Sequence, residues 1–149
     1  MYTRIVVGID FSIASREALA SGAKLAQTLH VPLVGVHVVE TSRPPFYAAY
    51  APLGDPGWFK DVEPRIQEKL AEWLAPFPSA QAKVLSGNPG DVLAAEAEPG
   101  ALLVVGEVGH SVLEHMLFGS TATRVAHHAA CAVLIVRGRR RTGRAQEAG

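Results

Sequence analysis

Residues 101–121, ALLVVGEVGHSVLEHMLFGST, contain the pattern from which the fold is predicted. It begins with an apolar run rich in β-branched residues, continues through a loop with glycines at both ends, and closes on a Ser-Thr pair. Strands covered on both faces have continuous apolar runs of this kind, because each face packs against helices. Serine and threonine are common where a helix begins. The stretch therefore predicts a strand of a parallel sheet, then a loop, then a helix.

Four more apolar runs of the same kind lie along the chain. The five predicted strands are Arg4–Ile9, Val31–Val39, Ala82–Ser86, Ala101–Val105 and Ala132–Val136. Helical patterns lie between them, so the predicted order is β-α-β-α-β-α-β-α-β. This alternation is typical of an open α/β sheet with right-handed crossovers and helices on both faces. In such sheets ligands bind beyond the carboxyl ends of the strands, where the strand order reverses.

Capping residues indicate where the helices begin. Ser12 is expected to cap the first helix and Ser120 the fourth, since a hydroxyl oxygen accepts from an unpaired N–H of the first turn. Asn88 is expected to cap the third helix in the same way. The second helix is expected to follow Pro64, because proline is tolerated in a first turn and disrupts a helix interior.

Length and composition indicate one folded domain. The chain has 149 residues, of which 48% are apolar and 19% charged, enough to build a core. No apolar run approaches the roughly 18 residues of a membrane span, and no signal peptide is recognisable. The single cysteine, Cys131, excludes an internal disulfide and a cysteine zinc cage. We expect a cytoplasmic protein without a membrane partner, with its domain over residues 1–137.

Charge is distributed unevenly although the net charge is zero. Residues 1–136 carry 9 basic and 13 acidic side chains, a net charge of −4, and five arginines fall in the last 13 positions. An acidic body disfavours nucleic acid as a partner. We expect residues 138–149 to be a disordered tail; contact with RNA, lipid headgroups or an acidic protein remains an alternative. The Pro- and aromatic-rich segment Thr41–Gly57 is a lid, an interaction segment or partly disordered.

The loop after the fourth strand has the features of an anion site. Gly106, Gly109 and Gly119 allow the backbone to come close to a ligand. Ser120 and Thr121 open a helix whose first N–H groups have no partner within the helix. A helix start of this kind attracts phosphate groups, and the two hydroxyls add donors.

The spacing Gly106-x2-Gly109-x9-Gly119-Ser120 resembles the nucleotide loop of universal stress proteins, in the ATP-binding branch of that family. Val7–Ser12 resembles the family's first strand and turn, His37–Val39 its second strand end, and Cys131–Arg137 its last strand. The resemblance implies a five-stranded parallel sheet of order 3-2-1-4-5, a Rossmann-like fold akin to the adenine nucleotide alpha hydrolases. It also implies ATP at the ends of strands 1 and 4.

The resemblance carries over to particular positions. Asp10 corresponds to a carboxylate near the ribose and phosphates, where it would hold Mg²⁺ or its waters; its alternative role is to cap the first helix. By the same resemblance, Val38 would lie beside adenine and Gly106 near the ribose. The nucleotide-binding residues implied are Ile9, Asp10, Val38, Gly106, Gly109, His110, Gly119, Ser120 and Thr121. A homodimer is implied through the last strand, with Val133, Leu134, Ile135 and Val136 at the interface.

One feature departs from the family's loop. No lysine or arginine lies between Lys83 and Arg124, so a triphosphate would meet amides and hydroxyls without a neutralising cation. Three functions remain open. The first is a dimeric stress-response module that binds ATP with Mg²⁺ and signals to an unknown protein partner; the second is a nucleotide-free dimeric scaffold. The third is an enzyme, either a slow ATPase or an unrelated α/β transferase. Only Asp10 or Glu107 could act as a base, so we name no catalytic residue.

Overall fold

A computed structural model describes residues 1–41, 58–107 and 118–138, with the side chains of 58–62 left undescribed. The strands are β1 Ile5–Gly8, β2 Leu33–Glu40, β3 Gln81–Gly87, β4 Leu102–Gly106 and β5 Ala132–Val136. The helices are α1 Ile13–Leu29, α2 Trp58–Leu74, α3 Pro89–Glu96 and α4 Ser120–His128. The predictions for residues 42–57, Gly109, His110 and residues 139–149 lie outside the described residues.

The five strands form one parallel sheet of order β3-β2-β1-β4-β5, which confirms the predicted fold. β1 lies at the centre, and its side chains Ile5, Val6 and Val7 are fully buried. Because successive side chains of a strand point to opposite faces, Val7 packs with α1 and α2. Val6 packs on the other face with α3 and α4. Helices on both faces explain why the strands are continuous apolar runs.

Two of the predicted helix caps are confirmed. The Ser12 hydroxyl accepts the N–H of Ser15 at 3.2 Å and so caps α1. The Asn88 side chain accepts the N–H of Asp91 at 3.1 Å at the start of α3. Each cap satisfies one of the N–H groups that a first helical turn leaves unpaired.

Two predicted helix starts are wrong. Gly119, in extended conformation, is the N-cap of α4, and Ser120 is already the first helical residue. α2 begins at Trp58, so Pro64 lies inside the helix rather than in its first turn. Pro64 is exposed. Water can therefore satisfy the carbonyl of the preceding turn that loses its N–H donor, while the following turns pack Leu70 and Leu74 into the core.

Within the described part of the chain, no helix combines the length and the apolar character needed to cross a membrane.

Candidate functional site

The predicted site residues that the structure describes lie at the carboxyl edge of the sheet. Ile9 and Asp10 follow β1, Val38 lies near the end of β2, and Gly106 ends β4. The chain leaves β1 toward β2 on one side, whereas β4 pairs with β1 on the other, so the strand order reverses between β1 and β4. A crevice at such a reversal is the usual ligand site of an open α/β sheet.

The start of α4 is held beside the end of β4. The carbonyl of Glu107 accepts the N–H of Gly119, and the N–H of Glu107 donates to the carbonyl of Val136 at 3.0 Å. These bonds bring the two ends of the intervening loop together. Gly119 is buried, Ser120 is exposed and Thr121 is half-buried. The first N–H groups of α4 therefore lie at the same edge as the ends of β1 and β4.

Gly106 has a packing role that the sequence did not reveal. A Cβ atom at this position would lie 2.8 Å from the carbonyl carbon, the carbonyl oxygen and the Cβ of Ala14. Such distances are shorter than van der Waals contact, so a side chain at 106 would push the first turn of α1 away from the sheet. Glycine is thus required by helix packing, independently of any ligand.

Asp10 shapes the turn between β1 and α1. Its Oδ1 accepts the N–H of Ser12 at 3.0 Å and also the hydroxyl of Ser12. Phe11, between them, has a φ of 64°, in the left-handed region that few non-glycine residues adopt. The cap of α1 itself is Ser12, so Asp10 supports the cap instead of acting as one. Oδ1 of Asp10 therefore holds this turn together.

Phe11 belongs to an aromatic cluster that sequence reasoning missed. Its ring stacks on His37 with centroids 4.6 Å apart and planes 26° apart, and it meets the edge of Trp73 at 5.3 Å. The guanidinium of Arg16 lies 3.9 Å from the Trp73 ring centroid, and Lys69 Nζ lies 4.6 Å from that of Phe11. These contacts fix the Asp10–Ser12 turn against α1 and α2. Trp73 of α2 thus packs against Arg16 of α1 and against Phe11.

The backbone of Val38 faces the site. Pairing of β1 with β2 ends at Gly8 and Val36, followed by one bond from the Ile9 N–H to the Val36 carbonyl at 2.8 Å. Alternate residues of a parallel strand turn their N–H and C=O toward the same neighbour, so those of Val38 also point to the β1 side. Among the described residues, no backbone hydrogen bond reaches Val38 from that side. Val38 is only 9% exposed.

Ile9 is placed differently from the other predicted site residues. Its side chain is 2% exposed and packs in the core beneath α1. Its N–H donates to Val36, and its carbonyl lies 2.6 Å from Nδ1 of His37. Both backbone groups of Ile9 therefore have partners within the protein.

Lys83 and Arg124, the basic residues on either side of the segment without lysine or arginine, each form an ion pair within the protein. Nε of Arg124 lies 2.6 Å from Oδ1 of Asp91, which joins α4 to α3. Lys83 forms an ion pair with Glu96. In the described residues, no group of three or more His, Cys, Asp or Glu side chains could hold a metal ion.

The predicted interface residues Val133–Val136 form most of β5, an edge strand of the sheet. All four are half-buried. Leu134 and Val136 pack toward α1, while Val133 and Ile135 pack toward the α3 and α4 face. β5 thus presents a partly covered apolar edge.

The model of one protein family, the universal stress protein family, matches residues 1–137. The chain belongs to this family. It is 33% identical over 141 residues to a universal stress protein of Mycolicibacterium smegmatis, covering 91% of this chain and 46% of that protein. It is 30% identical over 139 residues to universal stress protein A homolog 1 of Coxiella burnetii, covering 91% and 96%. The chain thus spans about half the length of the mycobacterial relatives it matches.

Solved structures of universal stress proteins have the same fold. UspA of Lactobacillus plantarum aligns with a TM-score of 0.64 and 26% identity over 91% of this chain and 98% of the other. A universal stress protein solved in complex with cAMP aligns with a TM-score of 0.61 and 24% identity over 92% and 98%. One from Archaeoglobus fulgidus solved with dAMP aligns with a TM-score of 0.55 and 20% identity over 90% and 97%.

Proposed function

We propose that this universal stress protein binds an adenine nucleotide, ATP in the first instance, at the carboxyl edge of β1 and β4. The observation that carries the proposal is the backbone of Val38, whose N–H and C=O face the crevice without a partner on that side among the described residues. A donor and an acceptor side by side match the adenine edge that carries a ring nitrogen beside the amino group. The complexes of related proteins with cAMP and dAMP support this choice.

The remaining described residues provide a path for ribose and phosphates. With the base at Val38, the ribose lies between Asp10 and the end of β4, and the phosphates extend to Gly119, Ser120 and Thr121. The N–H groups at the start of α4 and the two hydroxyls donate to phosphate oxygens. Hydrogen bonds to charged groups are worth about 1.5–3 kcal/mol each, so a few of them support micromolar affinity. From the family loop, Gly109 and His110 complete the predicted contacts.

A divalent ion is part of the proposal because the charges do not balance without it. Amides satisfy phosphate oxygens but do not neutralise them, and Arg124 is already paired with Asp91. Mg²⁺ prefers hard oxygen ligands and retains several waters when it binds phosphates. The carboxylate of Asp10 offers such oxygen ligands beside the proposed position of the phosphates. When bound, Mg²⁺ would offset part of the triphosphate charge, and Asp10 would hold the ion or its waters.

The biological role that follows is a cytoplasmic dimer that responds to stress through its nucleotide-loaded state. The two-fold dimer would form by pairing β5 with its copy, which covers the half-buried apolar edge Val133–Val136. The second candidate is a nucleotide-free dimeric scaffold. It is favoured by the absence of lysine and arginine between Lys83 and Arg124.

Calorimetric titration with ATP, with Mg²⁺ and with a chelator, tests the proposed site. We expect at least a tenfold loss of affinity, about 1.4 kcal/mol, when Mg²⁺ is removed. Asp10→Asn retains an oxygen that can accept from Ser12 but loses the charge, so its affinity with Mg²⁺ should fall to the chelator level. Glu98→Gln is the matched control and should bind like wild type, because Glu98 pairs with Arg4 directly before β1, at the opposite edge of the sheet. Absence of nucleotide binding in every condition contradicts the proposal and supports the scaffold.

Light scattering tests the dimer separately. Ile135→Lys should yield monomers, because it introduces charge into the proposed seam. Ala82→Lys, an exposed position on β3 at the opposite edge of the sheet, is the control and should leave the dimer intact. A monomeric wild type at micromolar concentration would exclude the dimer.

A further inference from the structure

We propose that His37 is a positioning residue that ends the β1–β2 ladder and keeps the backbone N–H of Val38 directed at the ligand. This inference rests on the proposed nucleotide site and adds a residue outside the predicted binding set. His37 lies immediately before Val38 in β2, on the face covered by α1 and α2.

The register shows what the imidazole replaces. If the parallel ladder continued by one step, the N–H of Val38 would donate to the carbonyl of Ile9, just as the N–H of Ile9 donates to Val36. Instead, Nδ1 of His37 lies 2.6 Å from that carbonyl. A carbonyl oxygen only accepts, so Nδ1 carries the proton. The side chain of β2 thus satisfies the last carbonyl of β1 in place of the backbone.

The surrounding contacts hold the ring in this orientation. His37 stacks on Phe11 with ring planes 26° apart, and Phe11 in turn contacts the edge of Trp73. Phe11 has a φ of 64° and directly follows Asp10, so the turn that carries the Asp10 carboxylate also carries the platform for the imidazole. The base contact at Val38 and the polar contact at Asp10 are therefore connected through one stacked pair.

The consequence for a ligand is base selectivity. Backbone N–H groups that are removed from water are nearly always paired, so a base that displaces water from the crevice must supply an acceptor for the N–H of Val38. Adenine supplies a ring nitrogen for the N–H and an amino group for the Val38 carbonyl. Hypoxanthine has a carbonyl oxygen where adenine has the amino group, and this oxygen would face the Val38 carbonyl. We expect about a tenfold preference for ATP over ITP, which have the same ribose and triphosphate.

Nuclear magnetic resonance of the ligand-free wild type tests the structural part. The ¹⁵N shifts of His37 should report the Nδ1–H tautomer at neutral imidazole. A scalar coupling across a hydrogen bond between the Val38 amide nitrogen and the Ile9 carbonyl carbon should be absent, and it should appear in His37→Phe. An Nε2–H tautomer, or that coupling in the wild type, overturns the proposal. The tautomer measurement needs no variant, so it decides the matter even if His37→Phe does not fold.

Titration with ATP and ITP tests the consequence for binding. His37→Phe keeps a flat ring against Phe11 and removes the donor, so the preference for ATP should fall from about tenfold to about twofold or less. His127→Phe, an exposed histidine on α4, is the matched control and should keep the wild-type preference. An unchanged preference in His37→Phe overturns the role in selectivity. If the wild type binds neither nucleotide, the proposed function fails, whereas tautomer and coupling still decide the role in the ladder.

Discussion

Gly106→Ala should destabilise the protein because α1 leaves no room for a side chain at the end of β4. The new Cβ would meet three atoms of Ala14 at 2.8 Å, where ordinary contact begins at 3.4 Å. Two of these atoms belong to the backbone and cannot rotate away. The start of α1 or the end of β4 must therefore move by several tenths of an ångström.

Two opposing effects determine the size of the change. Overpacking a well-packed site costs about 1–3 kcal/mol. Alanine also restricts the unfolded chain, which stabilises by about 0.4–1 kcal/mol wherever the native backbone accepts it. The φ of Gly106 lies outside the left-handed region, so this second effect applies. We expect a net loss of about 1–2 kcal/mol, or a Tm lower by roughly 2–8 °C for a chain of this size.

Guanidinium and thermal unfolding followed by circular dichroism measure this loss. Gly138→Ala is the control, since a Cβ there meets nothing within 4 Å; its stability should stay within about 0.5 kcal/mol of wild type. Gly106→Ala should also bind ATP more weakly at temperatures where it is fully folded, because the displaced helix begins beside Asp10. A variant as stable as wild type would refute the packing requirement and leave ligand approach as the reason for this glycine.

Substitutions at three further positions test local features of the fold. Ser12→Ala should lower the free energy of unfolding by about 1 kcal/mol through loss of the α1 cap, and Ser12→Thr should largely retain it in the same denaturation assay. Gly22→Ala should lower the Tm in thermal unfolding, because the new Cβ would lie 2.5 Å from Cγ2 of Val7. Overpacking costs about 1–3 kcal/mol, which exceeds the gain of about 1 kcal/mol in helix propensity. A higher Tm would contradict that ranking. Asp91→Asn should lower the free energy of unfolding by less than about 1 kcal/mol, because its ion pair with Arg124 is half-exposed. This loss should be smaller in high salt, which screens exposed charges. A larger loss that does not depend on salt would contradict this account of the ion pair.

The structure confirms most of the predictions that rest on residues close together in sequence. The five strands and the caps Ser12 and Asn88 could be read from the chain, because apolar runs and side-chain oxygens act within a few residues. The strand order came from the resemblance to a family, since local patterns do not specify which strands pair. The predicted start of α2 was wrong because local propensity disfavours Pro64 inside a helix. The helix tolerates this proline because its turn is exposed while Leu70 is buried in the core.

The alternation of strands and helices, the loop glycines and the lack of cations between Lys83 and Arg124 can all be read from the amino-acid sequence. Which atoms these residues contact depends on the folded structure. Gly106 is required by Ala14, which is distant in sequence, and the imidazole of His37 reaches the carbonyl of Ile9 across 28 positions. The physical reason is that contacts between separate elements depend on register and helix placement, which hydrophobic periodicity leaves unspecified. The backbone of Val38 faces the crevice because β1 turns away beside it, and no pattern within β2 contains that information.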